Sequence, residues 1–110
     1  MIREMAQGST LVREGIRIVE GTPTAPLRGA TLFLSMWRVS KPGEPPSTRA
    51  ALSMARPGPQ GYVIKELIPD MELEAQAALN KAVAIAKRGD VPEIYLNADL
   101  TRLPRARAVG

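Results

Sequence analysis

Apolar residues recur along this chain with two different periods, and the switch between them marks out its elements. From Leu11 to Glu20 they alternate with polar ones: Val12, Ile16 and Ile18 fall on one face and Arg13 and Arg17 on the other. That spacing predicts a strand, with Gly15 inside it as a bulge or a point of close backbone approach. Residues 21–26, rich in Gly, Thr and Pro, break the pattern as a loop. Ala30 to Val39 is the strongest strand: Leu32, Leu34 and Met36 occupy one face and Phe33, Trp37 and Val39 the other. A strand apolar on both faces is a central strand, or one whose second face is covered by another subunit. Residues 41–47, with three prolines, close it as an exposed connection.

Between Arg49 and Arg56, Leu52 and Met54 lie near one face and Ala51, Ser53 and Ala55 on the other. The Ala and Leu content also admits a short helix there. After a Pro-Gly turn at 57–61, Tyr62 to Ile68 reads as a strand with the charged pair Lys65-Glu66 reaching solvent. Pro69 is expected to stop that strand and Asp70 to cap a helix, with Glu72 and Glu74 complementing the positive end of its dipole. Met71, Ala75, Ala78, Leu79, Ala82, Ile85 and Ala86 form an apolar stripe, and Lys87, Arg88 and a left-handed Gly89 end the helix. Glu93 to Asn97 reads as a last short strand with Ile94 and Leu96 inward. The expected fold is α+β: a small antiparallel-rich sheet of about five strands, in the order β-β-β-β-α-β, with one long helix packed on one face. Residues 1–110 are read as one domain, 1–9 as a loose N-terminal arm and 101–110 as a basic C-terminal tail.

Chemistry enters mainly by exclusion. The chain contains no His and no Cys. This argues against a zinc site, a thiolate nucleophile and an imidazole-dependent triad, and leaves carboxylate, Lys or Tyr chemistry and oxygen-ligated metals. The one acidic group, Asp70, Glu72 and Glu74, is accounted for by the helix start, so no cofactor, metal or catalytic residue is assigned. No phosphate-binding Gly-rich loop is present. An enzyme using Tyr, Lys or carboxylates would need Lys65, Glu66 and Tyr95 to converge in one pocket. No apolar run approaches the ~18 residues of a membrane span and the first residues lack a signal-like apolar segment, so a cytoplasmic location and no membrane partner are expected.

Two partner readings remain. The two-sided strand 30–39 points to a non-enzymatic protein-interaction module acting as a homo-oligomer, most simply a dimer, whose interface contains Phe33, Trp37 and Val39. The alternative rests on a net charge of +4 and a pI near 10.0. It is a nucleic-acid-binding accessory protein using Arg13, Arg17 and Arg38 on the sheet and Arg102, Arg105 and Arg107 in the tail. Abundant Arg, Ala, Pro and Gly also fit a GC-rich coding sequence, so basicity alone selects no partner.

Overall fold

The structure, a computed structural model, describes residues 10–104. The elements are β1 (Thr10–Arg13), β2 (Ile16–Glu20), β3 (Thr31–Val39), β4 (Ser47–Gly58), β5 (Gly61–Glu72), α1 (Ala75–Arg88), β6 (Glu93–Leu96) and a 3₁₀ turn, Leu100–Arg102. They form one six-stranded sheet in the order β1-β2-β6-β3-β4-β5, with α1 on one face. The α+β class agrees with the sequence reading, but the sheet is mixed and has one strand more. After α1 the chain re-enters the sheet between β2 and β3 as β6, parallel to both. A helical crossover is the connection that allows parallel pairing.

The additional strand comes from residues 11–20, expected as one strand and found as a hairpin. Glu14 and Gly15 both take positive φ, 51° and 83°, the two-residue turn whose twist suits a hairpin. Gly15 is therefore a turn residue and not a bulge. Directly paired residues share a face, and the register matches Val12 with Arg17, Leu11 with Ile18 and Arg13 with Ile16. Val12 consequently leaves the face of Ile16 and Ile18, and Arg13 and Arg17 lie on opposite faces.

Residues 49–56 lie wholly within β4, with no helix. Tertiary pairing on both sides, to β3 and to β5, overrides the local preference of Ala and Leu. β5 also runs past Pro69, which was expected to end it. Between the pairs Ser53–Glu66 and Leu52–Ile68, β4 advances one residue and β5 two; between Leu52–Ile68 and Ala50–Met71, β4 advances two and β5 three. Such bulges on an edge strand accommodate a proline, whose missing N–H costs no ladder bond there. They also turn the adjacent Leu67 and Ile68 both toward the core.

Asp70 and Glu72 thus belong to β5, and Met71 is 41% exposed there instead of joining the helix stripe. Glu74 occupies the N-cap position without a side-chain cap bond. At the other end Gly89 has φ −98°, and Asp90 takes the left-handed conformation at φ 56°. The N–H groups of Asp90 and Val91 return to the carbonyls of Lys87 and Ala86, satisfying two of the helix's last acceptors, and Val91 is buried against the core.

The main core lies between α1 and the sheet. Ile18, Leu32, Leu34, Leu52, Ile94 and Val83 are its largest fully buried side chains, each stabilising by roughly 1.5–3 kcal/mol. From α1 the buried residues are Ala78, Ala82, Val83 and Ala86, small side chains that let the helix lie close to the strands. The 12-residue strands of the β4–β5 hairpin extend to about 40 Å and the 14-residue helix to about 21 Å. The hairpin tip therefore projects past the helix, leaving Val63 and Ile64 about half exposed.

Candidate functional site

The face of the sheet turned away from α1 has two unlike halves. Over the beginning of β3 the chain covers itself. Phe33, 3% exposed, forms a second cluster with Leu27 and Ala55, and Tyr62, Tyr95, Ala98, Leu100 and Leu103 pack around it. The Phe33 and Tyr95 rings stack with centroids 5.8 Å apart. The cover consists of the 21–30 loop and residues 97–104, and polar contacts pin both. The Tyr62 hydroxyl accepts from the Leu27 N–H at 3.2 Å and donates to the Pro104 carbonyl. The Asp99 N–H donates to Thr22 Oγ1 at 2.8 Å. Asn97, at φ 54°, donates its N–H to the Leu34 carbonyl and accepts the Met36 N–H on Oδ1, both at 2.8 Å.

Phe33, expected at a subunit interface, is thus covered by its own chain. The covering leucines stand singly among Pro, Arg and Thr, so no periodicity announced them. Residues 101–104, expected as part of a pattern-poor tail, contribute Leu103 and Pro104 to this cover. Residues 1–9 and 105–110 lie outside the described residues.

Over the second half of β3 the same face is open. Trp37 is 38% exposed and Val39 half-buried. Next to Trp37 on the same face, in the direction of Phe33, lies a low bed of Ser35, Ala51 and Ser53, all half-buried. Trp37 pairs across the ladder with Arg49, whose Nε donates to Asp70 Oδ1 at 2.6 Å, and Glu66 pairs with Ser53. Both signs of charge therefore border one flat, partly apolar surface.

The arginines considered for nucleic acid are dispersed. On the helix side, Arg13 Nη2 donates to Asn80 Oδ1 at 2.8 Å. Arg17 lies on the opposite face in an ion pair with its ladder neighbour Glu93. Arg38 is exposed near the end of β3, and Arg102 is 3.5 Å from Asp99 on the 3₁₀ turn. Arg105 and Arg107 lie outside the described residues. Lys65 and Glu66 sit on β5, separated from Tyr95 on β6 by β3 and β4, so these three do not converge. Among the described residues no three His, Cys, Asp or Glu side chains are grouped to hold a metal ion. No described helix is long and apolar enough to cross a membrane.

Among the described residues, three groups titrate away from their ordinary range. Burial, then the neighbouring Glu93, raises Tyr95, while Arg17 opposes. The hydrogen bond and charge of Lys87 lower Glu14. Hydrogen bonds from the side chain and backbone of Thr101 lower Asp99. None of them borders the Trp37 surface, which offers contact area and paired charges. No family model matches the chain, and no curated protein or solved structure matches it either.

Proposed function

We propose that this chain is a non-enzymatic protein-interaction module that works as a homodimer through the open half of its sheet face. The observation that carries the reading is Trp37, 38% exposed on a flat strand surface beside Val39 and the small side chains of Ser35, Ala51 and Ser53. Two such surfaces can pack face to face as sheets do, about 10 Å apart, with Trp37 as the central anchor. A two-fold interface must complement itself, and Arg49 with Asp70 and Glu66 supplies both signs of charge on the same patch.

Edge pairing is the less suitable route. β5 carries Lys65, Pro69 and two bulges, features that discourage addition of another strand, and β1 is only four residues long. A nucleic-acid role draws less support because Arg13, Arg17 and Arg38 do not share one surface.

Sedimentation equilibrium tests the proposal. A concentration-dependent monomer–dimer equilibrium is expected, with Trp37→Ser shifting it to monomer while the far-ultraviolet spectrum stays unchanged. A wild-type mass that stays monomeric into the high micromolar range, or a dimer untouched by Trp37→Ser, overturns it. Nucleic-acid binding that falls steeply with salt and is retained in Trp37→Ser would favour the phosphate-contact reading instead.

A further inference from the structure

At the other end of the same face, a cleft of about 710 Å³ opens between the 24–31 segment and the beginnings of β2 and β6. This volume falls within the range of small-molecule sites, about 300–1,000 Å³. Pro26, Leu27 and Ala30 supply an apolar wall, and Tyr95, its ring held against Phe33, lines the cleft beside Thr31.

Four charged side chains also line it, and their pairing is unequal. Arg17 donates through one terminal nitrogen to Glu93, which leaves the rest of its guanidinium fork available. Arg28, exposed on the loop, makes no ion pair or hydrogen bond among the described residues. Asp90 lines both this cleft and the neighbouring groove beside Lys87. The raised Tyr95 hydroxyl keeps its proton through the physiological range and so can donate. The available donors are two guanidinium groups and a phenol, arranged around an apolar wall.

We infer that this cleft binds a small organic carboxylate, with Arg28 and the free edge of Arg17 holding the carboxylate, Tyr95 donating to it, and the apolar part of the ligand lying against Pro26, Leu27 and Ala30. Guanidinium groups match a carboxylate with paired, charge-assisted hydrogen bonds. A phosphate ester offers the same oxygens, but its second negative charge meets Glu93 and Asp90 in the same space, so the site favours the monoanion. The cleft lies at the opposite end of β3 from Trp37, and its occupancy does not depend on the dimer.

The test is a ¹H–¹⁵N chemical-shift titration of the full chain with benzoate, phenyl phosphate and benzyl alcohol. Benzoate is expected to give saturable shifts at residues 24–31 and 93–95 by about 10 mM, the range a millimolar ligand requires. Benzyl alcohol, lacking the charge, should bind at least about 10-fold more weakly. Arg28→Gln, an exposed loop substitution, should weaken benzoate about 10-fold while leaving shifts elsewhere superimposable. Tyr95→Phe, which keeps the stacked ring, should weaken it severalfold. The inference is overturned if benzoate gives no saturable shifts there, if benzyl alcohol or phenyl phosphate binds as well as benzoate, or if Arg28→Gln leaves the affinity unchanged.

Discussion

Replacing Phe33 with Ala distinguishes a side chain covered by its own fold from one covered by a partner. Phe33 is 3% exposed and stacked on Tyr95, with Leu27, Leu100 and Leu103 packed around the same cluster. Truncating a buried Phe costs about 3–5 kcal/mol in lost transfer energy and residual cavity. Here the cover is a loop and a 3₁₀ turn, which can settle into the space more readily than paired strands, so the loss should lie near 3 kcal/mol. For a domain of this size that lowers the melting temperature by on the order of 10–20 °C. The assay is urea unfolding followed by far-ultraviolet circular dichroism at about 2 and about 200 μM protein, a span over which a partner-dependent contribution changes by about 2.7 kcal/mol. Because Phe33 is covered within the chain, the difference between wild type and Phe33→Ala should be the same at both concentrations, even if dimerisation through Trp37 makes each absolute stability depend on concentration. A loss below about 1 kcal/mol, or a difference that grows with concentration, would refute the intramolecular cover.

Other substitutions probe other parts of the structure. Asn97→Ala removes the acceptor for the Met36 N–H and puts at φ 54° a residue that tolerates the left-handed region less well than Asn, so it should cost about 1–3 kcal/mol, whereas Asn97→Gly should recover the backbone part only; equal losses in urea unfolding would show that φ is not the issue. Glu14 is lowered in the folded chain by Lys87, so the stabilisation it contributes is present above its unfolded value, near 4.5, and is lost as pH falls through the lower folded value; Lys87→Met should raise its carboxyl titration in a carbon-detected experiment. Tyr95 is raised, so it favours the folded state below its unfolded value near 10.0, and that advantage is lost as pH rises through the higher folded value; Glu93→Gln should bring its ultraviolet titration midpoint down if the neighbouring charge contributes as the geometry implies.

Alternation along β3 and helical spacing along α1 identified the central strand and the helix, because a buried stripe must recur with the period of the element that carries it. The α+β class follows from those two elements. Local signals failed where a tertiary contact outweighed them. Pro69 is a breaker by its own chemistry, yet an edge position and a bulged ladder accommodate it, and the helix consequently begins at Ala75 instead of just after Asp70. Glu14 and Gly15 looked like interior strand residues because alternation continues through them, and only the pairing of Arg13 with Ile16 shows a reversal of the chain. The same reversal decides on which faces Arg13 and Arg17 lie, and with them whether a basic surface exists. The two apolar faces of β3 were legible, but what covers the second was not. Leu27, Leu100 and Leu103 reach Phe33 from distant, aperiodic segments, and their burial is set by how the loop and the end of the described chain fold back across the sheet. That fold-back stops short of Trp37, which stays 38% exposed on a strand that, read in sequence, is largely apolar on both faces.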